Sequence, residues 1–273
     1  MKTSVSFIGI LCLLISFFAS ANEPLRLATT TSTENSGLLA QLLPKFTQQT
    51  GVAVDIIAVG TGKALQIARS GDADVVIVHA RQAENIFVAE GFGINRRDVM
   101  ENDFVLVGPA NDPASIIGKN STLQALTKIA QTQSIFISRG DQSGTHKKEL
   151  SLWQHAGIHS MGSWYKSIGQ GMGKALLMAS ELNAYTLTDR GTWLAYKDKL
   201  SLKLLNEGGI LLKNPYGIIA VNPALHKDIQ YLKAMRLIAW LTSPTGQQQI
   251  ELFKKSGQQL FYPTAIKDVI SSE

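Results

Sequence analysis

From Leu25 onward the chain alternates short apolar runs with stretches whose apolar residues recur at three- and four-residue spacing. Residues 25–28 (Leu-Arg-Leu-Ala) read as a first strand, which runs into Thr29-Thr30-Thr31-Ser32-Thr33. A helix follows in which Leu38, Leu39, Leu42, Leu43 and Phe46 share one face, and Gly51 stops it. Residues 52–59 form a second strand, followed by Gly60-Thr61-Gly62 and a short helix carrying Ala64, Leu65, Ile67 and Ala68. Residues 73–78 are a continuous apolar strand of the kind a parallel sheet buries on both faces. A helix over 82–90 comes next. Residues 104–107 (Phe-Val-Leu-Val) give a fourth strand, broken by Gly108-Pro109-Ala110-Asn111-Asp112-Pro113.

A second strand–helix series then begins. Ser121 caps a helix reaching Gln131, and Ile135-Phe136-Ile137 is the strand before Ser138-Arg139-Gly140-Asp141-Gln142-Ser143-Gly144-Thr145-His146. The pattern after that loop is helical, with Leu150, Leu152 and Trp153. Residues 164–173 read as irregular, with Gly169, Gly171 and Gly173 spaced two apart, and a helix starts at Gly173 or Lys174. Tyr185-Thr186-Leu187-Thr188-Asp189 leads into another helix. Residues 216–221 form a strand after Pro215, and two amphipathic helices close the pattern. Repetition of this kind predicts an α/β fold with right-handed crossovers. The two strands flanked by breaks, 104–107 and 216–221, are where the chain crosses between two lobes that leave a cleft between them.

Composition adds the compartment. Lys2, an apolar run from Val5 to Phe18 and Ala19-Ser20-Ala21 make a secretory signal peptide, 1–21, cleaved near Ala21. Cys12 is the chain's single cysteine and lies within it, so a thiol-free mature chain has to be held by its core. Removing those residues takes away Lys2 and lowers the net charge from +5 to +4, with no block of like charge and no basic stripe of the kind nucleic-acid readers carry. The lobes are 22–106 with 217–273, a discontinuous first lobe, and 107–216, the second.

Three strand–helix loops share one chemistry. The runs 29–33, 60–62 and 139–145 each follow a strand and open a helix, and in parallel α/β sheets such loops gather at the carboxyl ends of the strands, where ligands bind. Their hydroxyls and backbone N–H groups are donors suited to an anion, and Arg139 adds a guanidinium fork. Independent helix caps explain single Ser or Thr residues; five hydroxyl residues in succession at 29–33 exceed what one cap uses. Gly169-x-Gly171-x-Gly173-Lys174 is no phosphate loop, because Ile168 and Ala175 stand where its first glycine and its Ser or Thr belong. His155 and His159 have a metal-ligand spacing, but Gly157 interrupts them and no third ligand is evident, so they read as a helix end without a metal. Ser143 lacks the G-x-S-x-G elbow of hydrolases, and no catalytic residue is assigned. Lys254-Lys255 and Lys147-Lys148 read as solvated helix ends, and the tryptophans as packing.

Taken together, residues 27–33 (Leu-Ala-Thr-Thr-Thr-Ser-Thr), 59–62 (Val-Gly-Thr-Gly), 138–146 and 184–193 (Ala-Tyr-Thr-Leu-Thr-Asp-Arg-Gly-Thr-Trp) resemble the periplasmic tungstate-binding proteins of tungstate ABC transporters, a solute-binding family related to phosphate- and molybdate-binding proteins. The resemblance implies a two-lobed periplasmic binding-protein fold, type II-like, that closes over a tetrahedral oxyanion. It implies a periplasmic, monomeric, non-enzymatic protein without a cofactor. Such a protein hands tungstate, with molybdate as a weaker second ligand, to an ABC permease driven by a cytoplasmic ATPase. Carried over by position, the ligand contacts are Thr30, Thr31, Ser32, Thr61, Arg139, Ser143, Gly144 and Thr145, joined by the Met172-Gly173 turn. Asp141 is the ambiguous residue. It either holds Arg139 in its rotamer, the role favoured here, or accepts the proton of a bound phosphate, since Arg-x-Asp-x-Ser-Gly-Thr also resembles phosphate-binding proteins. Other readings are a phosphoester hydrolase using Ser143 and a ligand-sensing subunit that feeds a membrane receptor.

Overall fold

The computed structural model describes residues 23–119 and 121–266, so the signal-peptide reading of 1–21 lies outside the described residues. The chain opens with β1 (Leu25–Thr30), α1 (Thr31–Ser36) and α2 (Leu38–Thr50). The hydroxyl run is therefore not one loop: Thr29 and Thr30 end the strand, and a short helix starts at Thr31. Gly37, at φ 85°, separates the two helices in the left-handed region that glycine adopts without strain. β2 (Val54–Val59), α3 (Thr61–Arg69), β3 (Val75–Val78) and α4 (Arg81–Ala89) follow, and β1 pairs in parallel with both β2 and β3. Side-chain alternation explains the apolar strands. Val75 and Ile77 face α2, with Leu38, Leu42 and Phe46, while Val76 and Val78 face α3 and α4, with Ala64, Ala68 and Phe87.

The fourth strand is much longer than its apolar stretch. β4 (Gly93–Pro109) has 17 residues, and its first part is polar: Asn95, Arg96, Arg97, Asp98, Glu101, Asn102 and Asp103. Ion pairs support it where apolar alternation does not, with Arg96 on Glu84 at 2.7 Å and on Asp98 at 2.9 Å. The second half contains α5 (Thr122–Gln131), β5 (Phe136–Ser138), α6 (Gly144–His155), β6 (Tyr165–Ser167), α7 (Met172–Glu181), β7 (Thr186–Asp189), α8 (Arg190–Tyr196) and β8 (Leu202–Asn206). β6 corrects the irregular reading of 164–173: the Tyr-Lys-Ser strand is short and largely exposed, so it carries no apolar signal. The chain returns through β9 (Lys213–Val221), α9 (Tyr231–Thr242), α10 (Pro244–Glu251) and the short strands β10 (Lys254–Lys255), β11 (Gln258–Gln259) and β12 (Tyr262–Pro263).

Both halves follow one plan. In the first, the parallel strands β2, β1 and β3 are continued by antiparallel β9 and then antiparallel β4. In the second, β6 and β5 are parallel, β5 joins the chain leading into β7 through Phe136 opposite Tyr185, and β4 and β8 continue the sheet antiparallel. β4 thus serves both sheets, Gly93 to Asp103 beside β9 and Phe104 to Pro109 beside β7 and β8. A second packed cluster, with Phe104, Leu106, Phe136, Trp153, Trp164 and Tyr185, fills the face of the second sheet under α5 and α6.

Candidate functional site

The plan of the sheets brings the carboxyl ends of β1, β3, β5, β6 and β7 to one region between the halves. A cavity of about 450 Å³ lies there. Its wall includes Thr31 and Ser32 from α1, Arg139 from the loop after β5, Met172 and Gly173 from α7, and Asp189 and Thr192 from the start of α8. Asn102 and Tyr216 come from β4 and β9, Lys255 from β10, and Phe261 from the residues just before β12.

Each wall element is held by bonds that leave polar groups toward the cavity. Thr30 Oγ1 accepts from the Thr33 backbone N–H at 3.2 Å and lies 3.0 Å from Ser32 Oγ, tying the hydroxyls of α1 into one chain. The Arg139 loop needs Gly140 twice over. Its φ is +62°, and a Cβ there would fall 1.9 Å from Ser167 Oγ. Ile168 and Gln170 donate backbone N–H bonds to the carbonyls of Ser138 and Arg139, so the Arg139 loop and the glycine-rich turn before α7 form one unit. At Gly173, inside α7, a Cβ would meet the Tyr196 hydroxyl at 2.4 Å, so that side chain would have to move.

Arg139 and Asp141 form a closed pair. Asp141 Oδ2 accepts from Arg139 Nε at 3.0 Å, and its Oδ1 accepts from the Ser143 N–H at 3.2 Å. Burial pushes the Asp141 carboxyl up, but the bond from Ser143 and the Arg139 guanidinium outweigh it and hold it below its ordinary value. Asp141 is not on the cavity wall, whereas Asp189 is; the Asp189 oxygens accept from the Thr192 N–H at 2.8 Å and Oγ1 at 2.7 Å.

Of the residues predicted from sequence, Thr31, Ser32, Arg139, Met172 and Gly173 meet on this wall. Thr30 lies buried behind it. Ser143, Gly144 and Thr145 are off the wall, at the N-terminus of α6, where Ser143 Oγ accepts from the His146 N–H at 3.3 Å. Thr61 opens α3 next to β1, since Thr30 is the register partner of Val59, and is also off the wall. Lys255 corrects the reading of a solvated helix end. It belongs to β10, and its Nζ donates to the Asn35 and Ser36 carbonyls at 3.0 and 3.2 Å. The 185–190 motif signals Asp189, but nothing local marks Asn102, Tyr216 or Phe261. His155 ends α6 and Gly157 turns left-handed at φ 73°, so His159 does not share a helix face with it.

Behind the Arg139 loop sits a buried carboxyl. Glu149 Oε1 accepts from Tyr165 Oη at 2.7 Å and Trp153 Nε1 at 3.2 Å. Burial pushes the Glu149 carboxyl up to about 7, against the bonds from Tyr165, Ser138 and Trp153. The Ser138 hydroxyl beside it is buried and has no well-aligned partner of its own. A carboxyl raised on folding binds a proton in the native state that it lacks in the unfolded one, so stability falls as pH rises from about 4.5 to about 7, by about 3 kcal/mol in all. Glu149→Gln is expected to remove that fall, which melting temperatures between pH 5 and 8 would report. An unchanged pH profile would mean that Glu149 is ionised throughout.

Residues 19–245 match the PBP superfamily domain. The chain is 49% identical over 245 residues to the tungstate-binding protein TupA of Peptoclostridium acidaminophilum, covering 88% of this chain and 86% of that one. Among solved structures, the tungstate-binding protein TupA of Desulfovibrio alaskensis G20 superposes with a TM-score of 0.84 at 45% identity, over 89% of this chain and all of that one. A tungstate ABC transporter structure from Geobacter sulfurreducens superposes at 0.76 and 54% identity, over 83% of this chain and 97% of that one.

Proposed function

This chain belongs to the PBP superfamily, among the tungstate-binding proteins, and on that premise we propose that it captures tungstate in the cavity between its halves and hands it to an ABC permease with a cytoplasmic ATPase. In this reading it works in the periplasm as a monomer. The cavity wall carries the proposal: hydroxyls of Thr31 and Ser32, the Arg139 guanidinium, and the start of α7 face one space from opposite halves. Tungstate is a dianion without a proton at neutral pH, so its site calls for donors and positive charge. The lobes, 22–106 with 217–273 and 107–216, would then close by bending at β4 and β9, the strands in which both boundaries fall. Thr30, Thr61, Ser143, Gly144 and Thr145 support the wall from behind or join it when the halves approach.

Asp141, spent on Arg139 and Ser143, supports a site for an unprotonated anion. One observation favours a second reading: Asp189 on the wall is an acceptor that suits the proton of monoprotonated phosphate. Against the hydrolase reading, Ser143 Oγ caps α6 and His146 Nδ1 accepts from the Gln142 N–H at 3.1 Å, so that nitrogen is not paired with the Ser143 hydroxyl as a base.

A thermal-shift panel of tungstate, molybdate, sulfate and phosphate tests the proposal. At a thousandfold excess over the dissociation constant a ligand adds about 4 kcal/mol, or roughly 8–16 °C for a domain of this size. Tungstate is expected to give that shift and phosphate none. Stabilisation by phosphate alone would overturn the proposal.

A further inference from the structure

The cavity wall offers a dianion a net charge of only +1, and Asp141 offsets that from behind. Among the described residues lining it, Arg139 and Lys255 are cations and Asp189 is an anion, while Asp141 neutralises Arg139 from behind. Immediately behind Ser32 lies an ionisable ring that the proposed site does not use. His79 follows β3, the strand between β1 and β9, and its Nε2 lies 3.4 Å from Ser32 Oγ. The ring lies against Tyr216 with centroids 4.7 Å apart. The first residue of α6 is also close: a Cβ on Gly144 would stand 3.3 Å from His79 Cε1. His79 therefore lies close to both halves.

The hydrogen bonds around it fix the tautomer. Asn214 Nδ2 donates to Asn102 Oδ1 at 2.7 Å, so Asn214 Oδ1 is the acceptor that faces His79 Nδ1 at 3.1 Å, and Nδ1 carries the proton. In a neutral ring Nε2 is then an acceptor, so at this contact Ser32 Oγ is the donor, with Thr30 Oγ1 as its other neighbour at 3.0 Å. A proton at Nε2 reverses that bond. The ring becomes the donor, Ser32 Oγ the acceptor, and the Ser32 proton is free to turn to Thr30 Oγ1 or to the cavity.

We infer that the oxyanion binds together with one proton from solvent, taken up at Nε2 of His79, a positioning residue that acts on the ligand through Ser32. The inference rests on the tungstate reading of the site. Proton uptake adds one positive charge beside the wall and frees the Ser32 hydroxyl proton from the ring. Burial holds the ring below its ordinary value in the free protein, the Asn214 bond and the Asp189 charge offsetting only part of that. A dianion beside it pulls the other way, so uptake falls in the window between the two values.

Most other charged groups on the surrounding elements are engaged elsewhere. Lys148 on α6 donates to the Lys213 carbonyl at 3.2 Å, and Lys213 on β9 pairs with Glu101 at 2.5 Å. On α4, Arg81 pairs with Asp98 and Glu84 with Arg96. His146 of α6 accepts from Gln142, and burial and the Asp189 charge push the Tyr216 hydroxyl up, so it stays neutral; Glu34, in the first turn of α1, has a buried Oε2 without a hydrogen-bond partner among the described residues. Asp189 is the one of these whose charge acts on His79.

The test is calorimetry of the full mature chain with sodium tungstate, at several pH values from 6 to 8, in buffers of different ionisation enthalpy. Wild type is expected to take up close to one proton per tungstate within the window and to bind up to about tenfold more tightly per unit fall in pH. His79→Gln, which keeps a polar group beside Ser32 but cannot be protonated, is expected to bind tungstate with no uptake. Binding without uptake in wild type, or equal uptake in His79→Gln, would overturn the role of His79. Absence of tungstate binding at every pH would instead remove the reading on which it rests. Should the variant not fold, histidine Cε1–H titrations of wild type decide. One imidazole, identified by its contact with the Tyr216 ring, is expected to titrate at higher pH with tungstate bound, and a midpoint that stays in place overturns the inference.

Discussion

Arg139→Ala is expected to weaken tungstate binding by about 2–5 kcal/mol, roughly 30- to several-thousand-fold, while leaving a folded protein. Two effects act in the same direction. The dianion loses a charged fork that reaches the cavity wall, and Asp141, whose Oδ2 had accepted from that fork, becomes an unpaired negative charge one step behind the ligand. Arg139→Lys separates them: it keeps the charge but not the planar geometry, and its loss should be the smaller. Calorimetric titration with tungstate gives both numbers. An affinity in Arg139→Ala equal to wild type would remove Arg139 from the site.

The second large effect is on stability. Asp74 is wholly buried at the start of β3 and organises three segments. Its Oδ1 accepts from Arg26 Nη2 at 2.6 Å and the Gln230 N–H at 3.0 Å, and its Oδ2 from the Arg26 N–H at 2.8 Å and Arg26 Nε at 3.1 Å. Asp74→Ala strands the Arg26 guanidinium and two backbone donors, which costs about 3–5 kcal/mol. The melting temperature should fall by roughly 6–20 °C. A fall of under a degree would mean that solvent or a shifted side chain replaces the carboxylate.

The apolar elements were legible in the sequence because burial wrote them there. The stripe of α2 and the doubly buried β3 carry their period in Leu, Val and Phe. The long polar start of β4 was not legible, since its stability comes from pairing with β9 and from ion pairs such as Arg96–Glu84, whose partners are decided only in the fold. α1, with the sequence Thr-Ser-Thr-Glu-Asn-Ser, has no apolar residue to set a period. The site divides in the same way. Thr31, Ser32, Arg139 and the Met172-Gly173 turn announce themselves as donor-rich connections between strands and helices. Asn102, Tyr216 and Lys255 come from far along the chain, and each is an ordinary strand or hairpin residue until packing aims it inward.

The sharing of β4 has a consequence for the order in which the molecule can be built. β3 lacks its antiparallel neighbour until β9 has emerged, and β9 lies beyond the whole of the second half. The N-terminal 90 or so residues therefore have helices and a parallel core but an open sheet edge. The second half, by contrast, closes on β4 as soon as β7 and β8 are available. A chain delivered from its N-terminus finishes its later half first, and the earlier half stays incomplete until residue 221 arrives to close it.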